Sequence, residues 1–461
     1  MPELIDQSQP DELGQSPGAP VRGLKKAVLS PIETLAQSIA GIAPSATPGM
    51  LIPIVFGFAG NGTWLSYLLA TIGILFTAQC INEFASRSAC PGSLYTFVTE
   101  GFDSKAGALT GWSLLFAYVF CGTACVTEFT VYAMSLSKHF LHWDVPSQSM
   151  MFLSTILVGF IAYKNIKLSA NLMLWLEFLS ISLILFIIIL VFWKHGGVID
   201  WPQIQLSTVG FENVRAGLVM AIFGFVAFES AASLGDEAKD PLRSVPQAIM
   251  QSVIISGFFF VLASYAMVLS FRSAPVGLDK CSTPLLAMAD SLSLPSLGHL
   301  IDAGIMMSFF AAGLANVNAA ARIMYKMGHN GLFHSRVADT HAENQTPHVA
   351  VMISSLLSLS IALLLAAFKF PLLDIVGWVG TLATFGFIYA YAATSVSAAK
   401  MLRLRGELKP AKLLIVCASL IVLAVALVGS LYPIPPAPYN WLPAVFVSYM
   451  ALGILIARRT N

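Results

Sequence analysis

Charge is what this sequence has least of. Only 11% of its 461 residues are Asp, Glu, Lys or Arg, against about 25% in an average soluble domain. A water-facing surface of ordinary polarity cannot be built from so few. The formal net charge is +1, so the electrostatic footprint of a nucleic-acid partner is missing. Cysteine is sparse too. Cys80, Cys90, Cys121, Cys125, Cys281 and Cys417 form no paired CxxC, which excludes a zinc knuckle, and they read as small apolar residues. There is no GxxxxGK[ST] loop and no HExxH helix, so nucleotide-driven and metalloprotease chemistry lack their parts. No cofactor and no metal are expected. Residues 1–24 contain no apolar stretch of a secretory signal. Their Pro, Gly, Asp and Gln content leads us to expect a disordered cytoplasmic tail over residues 1–32.

What is present is apolar length. The chain is 57% hydrophobic with a mean hydropathy of +0.77. A membrane-spanning helix needs about 20 mainly apolar residues. Twelve such spans are expected, at 33–58, 64–86, 106–137, 149–164, 168–193, 211–235, 246–271, 298–326, 348–368, 372–399, 411–431 and 440–457. Numbering the connecting segments alternately sorts the 25 Lys and Arg. Lys138, Lys194, Arg215, Arg272, Lys280 and Lys369 fall on one side, and the other nineteen, Arg322 among them, on the side of the termini. Positive residues are retained in the cytoplasm, so both termini are expected there.

Two of the spans carry signs of a break. The first contains Gly41-Ile42-Ala43-Pro44-Ser45-Ala46-Thr47-Pro48-Gly49. Pro removes a backbone donor and clashes with the carbonyl four residues back, and Gly adds freedom. The sixth contains Phe223-Gly224-Phe225-Val226-Ala227-Phe228-Glu229. An ionisable residue at membrane depth costs roughly 2.5 kcal/mol or more and is a functional hypothesis by default, whereas Asp236 and Glu237 read as markers of the interface. Paired interrupted helices in two halves point to a midplane binding site. The N-terminus of a half-helix suits a carboxylate, and unwound carbonyls suit an ammonium. An amino acid carries both.

Two more carboxyls stand alone in apolar helices, Glu128 in span 3 and Glu177 in span 5. A carboxyl in such a setting can carry a proton through a transport cycle. Glu229 and Glu177 are the first coupling candidates and Glu128 the third. Asn316 and Asn318 in span 8 read as amide links between helices, and Tyr389 and Tyr391 in span 10 as packing or interfacial residues.

The stretch from Phe223 to Pro241, the run Ala321 to Phe333 followed by Thr346-Pro347, and Pro91-Gly92-Ser93-Leu94-Tyr95 together resemble motifs of the amino acid–polyamine–organocation transporter superfamily. The resemblance extends over roughly residues 33–457. It implies an all-α membrane fold with 12 transmembrane helices. A 5+5 inverted repeat over 33–400 would have discontinuous helices 1 and 6, and two peripheral helices would follow over 401–461. It also implies a substrate lying between the two breaks. Amides around Ala43, Pro44, Ser45, Ala46 and Thr47 would hold its carboxylate, and carbonyls of Phe223, Gly224, Phe225 and Val226 its amine. Phe223 matches the gating aromatic of the arginine/agmatine antiporter branch, and Phe228 is a second gating candidate. In that branch a glutamate at the place of Glu229 has a pH-linked role. Ser180 stands where several members carry a lysine in a former sodium site, with Glu177 one turn earlier, and Ser308 is expected to face that site. Ala43 and Thr47 replace two of the family's glycines, and the pattern from Ser38 to Ser45 is closer to branches that include GABA and choline permeases.

The expected function is alternating-access transport of an amino acid across a plasma membrane, such as a bacterial inner membrane, coupled to a proton or sodium or to exchange. No covalent chemistry is expected. A polyamine, GABA or choline-like amine is the other substrate class on the same fold. A channel or a non-transporting sensor is the other functional class, but no repeated pore motif, charged ring or attached output domain is present.

Overall fold

The computed structural model describes residues 23–197, 199–281 and 283–459. Helix dominates the described residues, and the one β-type contact is an isolated bridge between Leu29 and Ala238. In chain order the helices are α1 Pro31–Ile42, α2 Thr47–Ala59, α3 Thr63–Ala85, α4 Leu94–Gly101, α5 Ser104–Leu141, α6 Ser147–Lys164, α7 Ile166–Lys194, α8 Trp201–Ile204, α9 Phe211–Phe223, α10 Pro241–Ser270, α11 Pro284–Ser291, α12 Pro295–His329, α13 His348–Ala367, α14 Leu372–Leu404, α15 Pro410–Leu431 and α16 Leu442–Arg459. Among the described residues, eight stretches are long and apolar enough to cross a membrane. Helix occupies each of the other predicted spans as well. The first and sixth are divided, and α6 and α16 are the short ones. The sequence reading did not anticipate the short helices α4, α8 and α11.

The boundaries follow from local chemistry. Helices α1, α10, α11, α12 and α15 each open on a proline, whose missing N–H is unneeded in the first turn and whose φ is already helical. At the start of α1, Ser30 and Glu33 form a capping box. The Ser30 N–H donates to Glu33 Oε2 at 2.7 Å, and the Glu33 N–H donates to Ser30 Oγ. Asp103 caps α5 by accepting from the Ala106 N–H at 2.7 Å.

Helix α5 runs through the middle of the bundle, packed mainly between α12 and α14. The apolar windows of α5 and α12 are each 78% buried, whereas that of α15 is only 22% buried. So α5 and α12 are central, and α15 is an outer helix lying on α3 and α14. Helix α16 flanks α5 and α14, where Trp112 stacks on Tyr449 with centroids 4.9 Å apart.

Residues 1–22 of the expected disordered tail lie outside the described residues. Residues 24–30 are held in place. Leu24 and Leu29 are buried. The Val28 and Leu29 N–H groups both donate to the Glu237 carbonyl, at 2.8 and 2.9 Å, and Lys239 N–H donates to the Leu29 carbonyl. Glu237 in turn forms a two-pronged ion pair with Arg322 of α12, from Nε at 2.5 Å and Nη2 at 2.7 Å. Both side chains are 0% exposed. Glu237, read from the sequence as a marker of the interface, is instead sealed inside the protein against Arg322. A guanidinium fork matched to a carboxylate is the pairing that tolerates such burial.

Candidate functional site

The first break arises because Pro44 follows Ala43. The ring of a proline disfavours the helical conformation of the residue before it, and Ala43 turns to φ 51°, ψ 60°. Its N–H still closes α1 on the Ile39 and Ala40 carbonyls. Residues 43–46 then turn outside the helix, and α2 starts afresh at Thr47 with Pro48 in its first turn. Ala43, Pro44, Ser45, Ala46 and Thr47 are all buried, as peptide groups at membrane depth must be.

The second break follows α9. The chain leaves the helix after Phe223, turns through residues 224–229 with Ala227 at φ 64°, and enters a 3-10 turn at Ser230–Leu234. The Ala227 N–H donates to the Tyr391 hydroxyl at 3.0 Å, which holds this uncommon backbone conformation in place.

The second break packs against α1, the helix that ends at the first break. The Ser230 hydroxyl donates to the Gln37 carbonyl at 3.0 Å, and the Ala231 N–H donates to Ser38 Oγ at 3.1 Å. Gly41 lies directly over Ala227, and Leu51 of α2 lies over Gly224. The shared feature is a contact between two interrupted helices whose backbones approach at a glycine.

Each break is paired with a buried carboxyl. Glu177 of α7 accepts from Ser45 Oγ at 2.9 Å and from Ser308 Oγ of α12 at 2.5 Å. It therefore joins α7, the first break and α12. Glu229 accepts from the Tyr118 hydroxyl of α5 at 2.6 Å and from the Tyr391 hydroxyl of α14. It joins α5, the second break and α14. Glu128 of α5 is also buried, but neither of its carboxyl oxygens has a hydrogen-bond partner.

The other predicted residues fall as follows. Ser180 lies on the seam between α7 and α12, where its hydroxyl bonds to the Leu176 and Gly304 carbonyls at 2.8 Å each. Glu177, one turn earlier, is the residue that reaches the break. Phe223 ends α9 and is half-buried, as is Val226, whereas Gly224, Phe225 and Phe228 are buried. Phe225 packs edge-on against Phe260 at 5.1 Å, and Phe228 packs against Tyr391 at 5.0 Å. Asn318 donates to Ser169 at 2.7 Å, linking α12 to α7.

Sequence reasoning missed Tyr118, and it read Tyr391 as a packing or interfacial residue, whereas besides packing on Phe228 its hydroxyl bonds to Glu229 and to the unwound Ala227. The available signal was a hydroxyl-bearing ring in an apolar helix, which when buried finds a hydrogen-bond partner.

The family model for amino acid permeases matches residues 34–459. The chain is 27% identical to cationic amino acid transporter 4 of Mus musculus over 364 residues, 72% of this chain and 55% of that one. It therefore spans about half the length of that relative. It is 27% identical to the low-affinity putrescine importer PlaP of Escherichia coli, with 73% of this chain and 74% of that one aligned. To the branched-chain amino acid permease BcaP of Bacillus subtilis it is 24% identical, over 63% of this chain and 65% of that one. Among solved structures it shares its fold with a Na+-coupled sialic acid symporter in a substrate-bound, outward-open state, at a TM-score of 0.55 and 12% identity, covering 88% of this chain and 90% of the other. With its two facing helix breaks and a match running almost from end to end, this chain belongs to the amino acid permease family.

Proposed function

We propose that the chain is a secondary active transporter that moves an amino acid across a cell membrane by alternating access. The observation that carries this reading is the close approach of the two broken helices, Gly41 of α1 against Ala227 of the second break, with each break tied to a buried carboxyl. Family membership and the relatives named above support it. The reading takes the fold as twelve spans. The first five (α1 with α2, α3, α5, α6, α7) and the next five (α9 with its 3-10 turn, α10, α12, α13, α14) are inverted repeats, each opening on a broken helix. Helices α15 and α16 are peripheral, and both termini face the cytoplasm.

In this mechanism the substrate carboxylate lies at the start of α2, where the helix dipole is positive. The amine lies against carbonyls of Phe223 to Val226, and Phe223 and Phe228 gate the site. Glu177 competes with the substrate carboxylate for Ser45. A proton on Glu177 weakens its hold on Ser45 and frees the break for substrate, so proton entry and substrate entry are linked. Glu229 holds the second break to α5 and α14 while the remaining helices rock about the site.

A thermal-shift screen of amino acids on the purified chain tests the binding step, since a ligand stabilises the state that binds it. Uptake into liposomes under a pH gradient tests the coupling. Stabilisation by one class of amino acid, together with uptake that collapses when the gradient is dissipated, is the expected result. No stabilisation by any amino acid or amine would overturn the reading.

A further inference from the structure

Glu177 and Glu229 each take two hydroxyl donors. Glu128 takes none on either oxygen, and the residue is 1% exposed. Burial without a donor or a counter-charge disfavours the charged form of this carboxyl, and a cation brought to it would supply the partner that the surrounding side chains do not. Its electrostatic neighbours are the Cys125 thiol and the Tyr132 hydroxyl, with Asp302 beyond Tyr132. None of these is a cation. Among the described side chains Arg322 is the one Lys or Arg that is buried, and it is engaged by Glu237 at 2.5 Å.

The position of Glu128 relative to the breaks can be read from contacts. Tyr118, Cys125, Glu128 and Tyr132 share one face of α5 by helical periodicity. At one end of this stripe Tyr118 holds Glu229 in the second break. At the other end the Tyr132 hydroxyl closes on Gly49, just past the first break, so tightly that a Cβ there would lie 2.7 Å from it. Glu128 lies one turn, about 6 Å, back from Tyr132 along α5, on the face whose two ends reach the two broken helices.

We propose that Glu128 determines specificity by receiving a second positive charge on the substrate, so that the site selects basic amino acids or diamines over neutral amino acids. This deepens the transport reading above and rests on it. The α-carboxylate and α-amine of a basic amino acid occupy the two breaks, and the charged end of its side chain meets the unpartnered carboxylate. A diamine uses the same carboxylate for one of its ammonium groups.

The test measures binding of L-lysine, L-ornithine, putrescine, L-alanine and L-leucine to the purified full-length chain and to the Glu128→Gln and Glu128→Asp variants. The wild type is expected to prefer the basic ligands. Glu128→Gln is expected to bind them at least about tenfold more weakly, the scale of a lost charge-assisted hydrogen bond, while any binding of neutral amino acids stays within about twofold. Glu128→Asp keeps the charge one methylene short, so it retains the preference for basic ligands at reduced affinity and covers the case in which the Gln variant does not fold. Unchanged affinity of Glu128→Gln for lysine and putrescine would overturn the assignment, as would a Glu128→Asp variant with no preference. A wild type that binds only neutral amino acids would overturn it and leave the transport reading intact. A wild type that binds none of the five would overturn the assignment, and the transport reading falls with it only if the full screen of amino acids and amines also finds no ligand.

Discussion

A Cβ placed on Gly41 would lie 2.8 Å from the carbonyl oxygen of Ala227 and 2.9 Å from the Ser230 hydroxyl. The first of these neighbours is backbone, so a side chain cannot be admitted by a rotamer change. Gly41→Val is expected to separate α1 from the second break at a cost of about 1–3 kcal/mol, the usual range for overpacking. Transport should be lost while the protein stays monodisperse. Uptake in liposomes beside size-exclusion chromatography checks this, and wild-type uptake by the variant would show that the close approach is dispensable.

Tyr391 donates to Glu229 and accepts from the Ala227 N–H, whereas Tyr118 donates to Glu229 alone. Tyr391→Phe should therefore be the more damaging of the two substitutions, since it leaves two buried groups short of a partner at about 1–3 kcal/mol each. Thermal unfolding of both variants in detergent decides the order. Equal losses would mean that the Ala227 amide is satisfied some other way.

Glu177 faces the first break and Ser180 does not. Glu177→Gln is expected to keep substrate binding and to lose accumulation driven by a pH gradient, whereas Ser180→Ala should keep accumulation within about twofold, because it removes one neutral helix-to-helix hydrogen bond. The informative measurement is gradient-driven uptake set beside substrate counterflow for each variant. A Glu177→Gln protein that accumulates substrate like the wild type would end the coupling role given to this carboxyl.

The Arg322–Glu237 pair is fully buried and anchors the segment that carries Val28 and Leu29. Removing one partner leaves the other charge buried and unpaired, at about 3–5 kcal/mol. Arg322→Met alone should lower the melting temperature sharply, and Arg322→Met with Glu237→Gln should recover part of the loss. A double variant no better than the single one would show that the pair acts through some contact other than its charges.

Some of this was determined along the chain itself. Apolar length placed the long helices, and the prolines and glycines of residues 41–49 marked the stretch in which the first break falls. Each of these effects acts over a turn or two of backbone and is written in consecutive residues. The carboxyls were equally visible, because a lone Glu in an apolar helix stands out without any structure. What consecutive residues could not supply was the partner of each. Glu177 meets Ser45 across 132 positions and Glu229 meets Tyr391 across 162, and the packing of α5 against α12 and α14 decides which hydroxyl arrives. The same packing sealed Arg322 and Glu237 together in the interior, where the sequence had read Glu237 as marking the interface, and it left Glu128 with no donor in reach. Periodicity tells which face of a helix is polar. Only the assembled bundle determines what that face meets.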